Sequence, residues 1–455
     1  MSDRTFEVAI IGAGIIGIST AYYLAKNHGV SNIVLIDRDQ PMAFTSAQSG
    51  ENYRNWWPHP AMVNFTNRGI DLIEEIARAG NNSINMTRRG YSLVTRSDNI
   101  DDLLGELHKG LGESARDLLR FHDDRNASAY KPASRPGWEE APEGVDILSG
   151  RSLISRYFPS YSEEARNIIH IRRGGDISGQ QLGMFMLDFL KEKGAVRLGG
   201  SVEDIEKSDG FRIRISTADG KKTVQAEKIV NAAGPFVGRI AAMLGIDLPI
   251  YNTFQQKIAF EDRAKAIPRN MPFTIDLDAQ HINWSDEERA MLLEDPDFSW
   301  LAKEMPGAIH CRPDGGDNGT WIKLGWAFNE KIAEATWEPP LDDNFPDIVL
   351  RGASRLNPSL KTYLGQLPRH MHHYGGWYTM TDENWPLVGP MGVDGAFMNC
   401  AYSGFGTMAA TVGGELGAAW VAGAALPDYA ENFSLLRRNN AKLMKSLLEG
   451  AKGVL

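Results

Sequence analysis

Apolar positions along this chain follow two rhythms, and the rhythm changes at a few well-marked places. Residues 6–11 (FEVAII) form a short unbroken apolar run of strand length. GAGIIG follows, and ISTAYYLAKNHG then carries helical spacing that closes at Gly29. NIVLID reads as a second strand ending at Asp37, completing a strand–turn–helix–strand unit. YSLVT (91–95) is another short strand, and the stretch from there to Gly150 is polar and irregular, with a Pro/Gly-rich loop. SGQQLGMFMLDFLKEKGA (178–195) predicts a helix capped near Ser178 and Gly194. Residues 202–205, 211–216 and 228–231 read as strands. Residues 251–375 are strand-rich, interrupted by a charged helical insertion within 281–305. A small-residue helix ends the stretch 402–423, and residues 435–448 predict an amphipathic helix.

One apolar run carries a misfit. WIKLGW (321–326) reads as a strand near a core, yet holds Lys323. A lysine there either faces solvent or has a reason to be inside.

Totals narrow the classes. A chain of 455 residues exceeds one ordinary core, so two large domains, or one with a big insertion, are expected. A net charge of -10 argues against nucleic acid as the main partner. Two cysteines, Cys311 and Cys400, allow one bridge at most and no four-thiolate zinc site, which fits a reducing, cytoplasmic setting. The apolar stretch 8–25 is too glycine-punctuated, and MSDR before it too poorly charged, for a signal or membrane helix. Residues 369–373 (RHMHH) are histidine-dense, but no further partner is spaced for a metal, so none is expected.

The strongest motif is Gly12-Ala13-Gly14-Ile15-Ile16-Gly17, after a strand and opening a helix, with Asp37 placed 20 residues beyond Gly17. Gly12 makes the turn, Gly14 admits a pyrophosphate to the backbone, and Gly17 lets helix and strand pack. The helix N-terminus holds the phosphates, and Asp37 accepts from ribose hydroxyls. The motif serves NAD and FAD alike. IVNAAGPF (229–236) is read equally as a strand returning to the dinucleotide or as a generic strand–turn–helix. Ser403-Gly404-Phe405-Gly406-Thr407-Met408 is a small-residue loop opening a helix, whose free N–H groups suit the anionic edge of a reduced flavin.

Together these segments resemble the D-amino acid oxidase superfamily of flavoproteins, in the branch of glycine oxidase and monomeric sarcosine oxidase. IVNAAGPF is similar to the family's second FAD-contact strand, YTMTDENWPLVGP (378–390) to its Y-T-x-T-x-D…P-L-I-G-P segment, SGFGTM to its S-G-H-G loop, and RRGGDISGQQL (172–182) to its G-x-D-P helix start. The resemblance covers nearly the whole chain. It implies an α/β fold: a Rossmann-like FAD-binding domain from discontinuous segments (1–90, 151–246, 380–455) and a strand-rich substrate domain with a mixed or antiparallel sheet (91–150, 247–379). It implies FAD at Gly12, Ala13, Gly14, Ile15, Ile16, Gly17, Asp37, Arg38, Thr45, Ser46, Gln48, Arg54, Val202, Ala233, Gly234, Phe236 and residues Ser403 to Met408. Arg54 matches an arginine beside the flavin ring and Tyr378 keeps its match. Lys323 matches a lysine that reaches flavin N5 through water and promotes reaction with oxygen. The implied reaction is oxidation of a C–N bond of an amine or amino acid by hydride transfer to N5, then imine hydrolysis and reoxidation by O2 to H2O2. A dehydrogenase of an amine or 2-hydroxy acid passing electrons to a carrier is the alternative, and a non-catalytic flavoprotein is a third. Monomer and homodimer are both open.

The departures concern the substrate. The family's carboxylate-gripping arginine and lysine align with Trp57 and Met408, an active-site histidine with Ala327, and the flavin-tethering cysteine with Gly376. FAD is therefore expected to be noncovalent. His310 and Arg312 in AIHCRP are replacement candidates; a bidentate Arg312 would hold a carboxylate, while a solvated arginine at a loop edge fits the sequence as well. Trp56, Trp57 and Trp326, with Met408, form either an aromatic pocket for a bulkier amine or ordinary core.

Overall fold

A computed structural model describes residues 5–133, 138–315 and 318–450. The predicted Pro/Gly-rich loop at 134–137 and the MSDR segment lie outside the described residues. The fold is α/β, built on two large sheets, as expected.

The first sheet has eight strands. Its parallel centre places Thr5–Ile11 between Gly220–Asn231 and Ile33–Asp37, and Val196–Gly199 lies beyond Ile33–Asp37. An antiparallel meander, Ser201–Lys207 to Phe211–Thr217 to Gly220–Asn231, extends the other side. Ala396–Cys400 also pairs with Gly220–Asn231, and Leu387–Pro390 with Ala396–Cys400. The helix Ile15–His28 starts at Gly14 and closes on left-handed Gly29, as the pattern predicted. Gly179–Glu192 is capped by the Ser178 side chain. These helices pack with Pro60–Ala79 and Gly406–Ala422 into one apolar core.

The second sheet has nine strands in the order 372–380, 251–261, 321–325, 309–314, 273–276, 91–95, 167–171, 145–149 and 119–122. Strand Asn167–Ile171 belongs here, pairing with Tyr91–Thr95 and Val145–Ser149, although its sequence lies within the segment expected in the FAD unit. The chain crosses between units at Gly174–Asp176, which pairs with Asn52–Arg54. Its apolar run satisfies either sheet equally; pairing with 91–95, not local pattern, decides.

Alternation gives this second sheet two unlike faces. Ile258, Phe260, Ile309, Cys311, Ile322, Leu324 and Trp326 pack with the amphipathic helix Phe345–Leu356. Each fully buried side chain of this kind contributes about 1.5–3 kcal/mol. The opposite face, turned to the first unit, carries Lys257, His310, Arg312, Lys323, Tyr374 and Tyr378. Their register is fixed: Lys257 opposes Gly325 and Tyr374, His310 opposes Gly325, and Arg312 opposes Lys323.

The insertion forms a helix, Asp286–Glu294, with a complete capping box from Ser285 and Glu288. The predicted C-terminal helix is broken: Leu435–Asn439 is a 3-10 turn and Ala441–Glu449 a separate helix capped by Asn440. Buried Arg437 causes the break, bonding Glu383 and the carbonyls of Pro386 and Trp385. Among the described residues no helix is long and apolar enough to cross a membrane.

Candidate active site

Two adjoining cavities lie on the first unit, at the carboxyl ends of its parallel strands, where open α/β sheets bind ligands. The outer cleft is lined by Gly12, Gly14, Asp37, Arg38, Thr45, Ser46, Val202, Ala233, Gly234 and Phe236, among others. The inner cavity shares Gly14, Thr45, Ser46 and Gly234 with it. It continues past Ile15, Ile16, Gln48, Ser403, Gly404, Gly406 and Thr407 to Lys257, Gly376 and Tyr378 of the second sheet.

The glycine loop owes its shape to exclusion. A Cβ on Gly12, whose φ is +110°, would lie 2.2 Å from the Ala232 carbonyl oxygen, and one on Gly17 would lie 2.0 Å from the Gly12 carbonyl oxygen. No other residue fits either position. The Ala13 N–H donates to the Asp37 carboxylate at 2.6 Å, and the Ile15 N–H to Ser46 Oγ at 3.0 Å. Burial pushes the Asp37 carboxyl above its usual pKa, while the Ala13 and Asp39 N–H groups oppose the shift. Loop and acid are thus joined before any ligand enters.

Polar atoms along these cavities await a partner. Thr45 Oγ1 and Ser403 Oγ are buried with no hydrogen-bond partner among the described residues. A ligand with hydroxyls, amides and phosphates placed along the groove satisfies such atoms, and an FAD fits that requirement. The cleft's outer end is covered by an aromatic group that the sequence reading missed. Trp337 stacks on Phe236 at 4.3 Å and packs on Phe44 at 4.8 Å, with the Arg38 guanidinium 4.5 Å from its ring. Trp337 sits in an irregular stretch with no periodic signal, so nothing in the sequence marked it.

The second sheet's charged face divides into two parts. Lys323 Nζ donates to Glu51 at 2.8 Å and lies 3.4 Å from Asp314. Arg312 is buried, donating to the Gly50 and Pro313 carbonyls and pairing with Asp314 at 2.9 Å, with Asp176 at 3.6 Å. It is no solvated loop-edge residue, and its donors are already committed. Burial opposes the Arg312 charge, yet Asp314, Asp176 and Glu51 together hold its pKa above the usual value. Burial likewise opposes ionisation of Asp314, but Arg312 and Lys323 hold its carboxyl below the usual range. This cluster balances its own charge.

Lys257, absent from the sequence-based candidates, lies in the other part. It is buried, donates to the Tyr378 hydroxyl at 3.3 Å, and lines the inner cavity. Its signal was a charged residue in the strand run QQKIAF, the same misfit seen at Lys323. His310 neighbours it: burial first, then the Lys257 charge, holds the imidazole pKa down to about 3. Neutral His310 offers Lys257 no counter-charge.

The remaining candidates take other places. Arg54 is fully buried within 4.7 Å of both the Trp57 and Tyr91 rings, and burial lowers its pKa. Trp57 also packs edge-on against Phe405 at 4.8 Å. Trp56 belongs to an apolar cluster with Tyr91 and Leu93. Trp326 sits in the far-side core, its indole bonded to the Pro306 carbonyl at 3.1 Å, and Met408 lies in the core of the first unit. None of these tryptophans lines the cavities described, nor does Met408. Gly376 does, near Gln48. Both cysteines are free and buried, burial pushing the Cys400 thiol up to about 12. His373 bonds Gln256 at 2.9 Å, and among the described residues no cluster of histidine, cysteine and carboxylate groups is arranged for a metal.

Residues 7–420 match the family described as FAD dependent oxidoreductase. Monomeric sarcosine oxidase of Bacillus sp. (strain B-0618) is 22% identical over 330 residues, 72% of this chain and 70% of that protein. Dimethylglycine dehydrogenase of Rattus norvegicus is 22% identical over 318 residues, 67% of this chain and 33% of its own length. The beta subunit of sarcosine oxidase of Rhizobium meliloti is 23% identical, covering 56% of each chain. These last two relatives are thus matched over a third to about half of their own length. Among solved structures, L-proline dehydrogenase from P. horikoshii superposes with a TM-score of 0.70 at 16% identity, over 96% of this chain and 98% of that one. Glycine oxidase from Geobacillus kaustophilus gives 0.68 at 16% identity, over 95% and 98%.

Proposed function

The chain belongs to the FAD-dependent oxidoreductase family, and we propose that it oxidises the C–N bond of a secondary, N-alkyl or D-amino acid type of amine. Its cofactor is FAD, held noncovalently in this reading. The observation that carries the proposal is the inner cavity, which runs from the glycine loop onto the Lys257–Tyr378 face of the second sheet. The reading is supported by what the chain is similar to in sequence, a monomeric sarcosine oxidase and a dimethylglycine dehydrogenase, and in fold, an L-proline dehydrogenase and a glycine oxidase.

FAD, when bound, supplies the acceptor for the hydrogen and electron pair leaving the amine carbon. The protein's part is positioning. Among the described residues no Asp or Glu lines the inner cavity, so no carboxylate base there stands ready to deprotonate a substrate ammonium. The amine binds neutral, and the rate comes from fixing its carbon at the right height and angle. The rim of Gly404, Gly406 and Thr407 places a helix N-terminus where negative charge is tolerated. Hydrolysis of the imine then gives a carbonyl compound and an amine.

Oxygen completes turnover in this reading, with Lys323 as the promoting charge. A second reading, a dehydrogenase feeding a carrier, is favoured by one observation: Glu51 and Asp314 offset that charge. Anaerobic mixing with amines, N-methyl amino acids, D-amino acids and 2-hydroxy acids tests the substrate, by bleaching of the flavin absorbance. Bleaching by an amino acid is expected. Bleaching by hydroxy acids alone overturns the C–N assignment. Readmitting oxygen then separates the acceptors: fast recovery with peroxide marks the oxidase, slow recovery the dehydrogenase.

A further inference from the structure

Two segments take no part in the site described above: the charged insertion within 281–305 and the stretch after Ser434. The insertion is anchored by Arg351, which bonds Glu288 and the Asn283 carbonyl, and by the Trp284 indole, which donates to the Leu301 carbonyl. Its outer surface carries Met291, Leu293, Phe298 and Trp300, with Met291 72% exposed. Ten large apolar side chains are exposed among the described residues, so four within 291–300 make a patch and not scatter. Acids flank that patch. Glu288 is matched by Arg351, but Asp286, Glu287, Glu294, Asp295 and Asp297 form no ion pair among the described residues. Glu287, Met291 and Glu294 stand at i, i+4 and i+7 of the helix Asp286–Glu294, so they share one face.

The C-terminal stretch has the opposite sign. Arg437 is paired with Glu383, and Leu447 is buried in the first unit's core, which fixes Ala441–Glu449 on the surface. A groove of about 500 Å³ is lined by Arg438, Ala441, Met444, Lys445, Leu448 and Glu449. Lys445 lies 3.9 Å from Glu449, while Arg438 and Lys442 form no ion pair among the described residues. Leu436 and Leu448 are nearly half exposed beside these cations. On a chain of net charge -10, this is a basic surface with an apolar floor. No hydrogen bond or ion pair among the described residues joins it to the insertion, which packs on the other unit's core. We propose that the acidic patch of one copy of this chain docks on the basic groove of a second copy. Met291 and Leu293 supply the apolar contact for Met444 and Leu448, and the flanking acids meet Arg438, Lys442 and Lys445. A closed pair satisfies both patches of both copies, whereas an open string leaves one of each unmet at its ends.

The test is the mass in solution of the FAD-loaded full chain, by light scattering across a range of concentrations. At low salt a mass of at least two chains is expected, falling to one chain in roughly 0.5 M salt. Lys442→Glu with Lys445→Glu reverses the groove, and Glu287→Lys with Glu294→Lys reverses the patch. All four positions are exposed, so flavin absorbance and melting temperature stay as in wild type. Each reversed variant alone associates roughly 100-fold more weakly. Mixing the two restores association, because each then supplies the sign the other lacks. Met291→Ser weakens association about 10-fold. If a double variant melts early, Lys445→Glu and Glu294→Lys decide by the same mixing. One chain under every condition overturns the proposal, as does association surviving in either reversed variant or absent from their mixture. A single chain that binds vesicles of roughly 30% anionic lipid through Lys442 and Lys445 assigns the groove to a membrane and overturns it. Association that appears only in a variant ending at Gly450 assigns the groove to residues 451–455, with the same result.

Discussion

The cofactor cleft and the charged sheet face are built by opposite means. The cleft works through backbone: close-packed glycines, N–H groups at helix starts, and small side chains. Its key pieces, Gly12 to Gly17, Asp37 and Ser46, lie within 35 residues of one another. The sheet face works through side-chain charge: strand register sets positions 257, 312, 314, 323 and 378 beside one another, and Glu51 and Asp176 reach Arg312 and Lys323 from outside that sheet. A backbone device tolerates no added atom. A charge device is set by pairing, so two lysines on one face have different surroundings: Lys323 is balanced by Glu51 and Asp314, whereas among the described residues no carboxylate pairs with Lys257.

The largest effect should come from the backbone device. Gly12→Ala puts a methyl where the Ala232 carbonyl stands, at a φ that disfavours any side chain. We expect purified Gly12→Ala to carry no flavin, read from absorbance per protein; normal loading would show that the loop can yield. Next comes Lys323→Met, expected to slow reoxidation by oxygen roughly 100-fold while sparing reduction by substrate. Equal slowing of both steps, or none, would assign Lys323 to the balanced ion cluster alone. Trp337→Ala removes the aromatic cover at the cleft's outer end and should weaken FAD binding about 10-fold, with kcat restored at saturating FAD. Unchanged affinity would detach Trp337 from the cleft.

The smallest effect is a pH slope. His170 and His310 are both buried, with pKa values held down to about 3 against 6.5 unperturbed. Below pH 6.5 the unfolded chain binds protons that the fold refuses, so stability is whole above that pH and drains as pH falls towards 3. Tm measured from pH ~7.5 to ~5 should fall more steeply in wild type than in His170→Asn or His310→Asn. A matching slope in both variants would mean other groups govern acid sensitivity.

Sequence alone determined the dinucleotide unit, because its logic is local. A strand, a glycine turn, a helix and an acid at set spacing must fold next to one another, and each residue's function follows from backbone geometry. It also singled out Lys323, a charge in an apolar strand, while leaving open whether that lysine faces solvent or the interior. Only the tertiary structure decided which charges meet. Strand 167–171 joined the second sheet because pairing partners, not pattern, chose for it. Trp326 went to the far face because alternation sends residues 322, 324 and 326 one way and Lys323 the other. Arg312, a plausible anion binder on paper, was found committed to Gly50 and Asp314. Lys257, which the sequence-based candidates did not include, was placed at the inner cavity beside Tyr378. The reason is physical: a charge's role depends on its neighbours in space, and across a nine-stranded sheet those neighbours lie tens to hundreds of residues away.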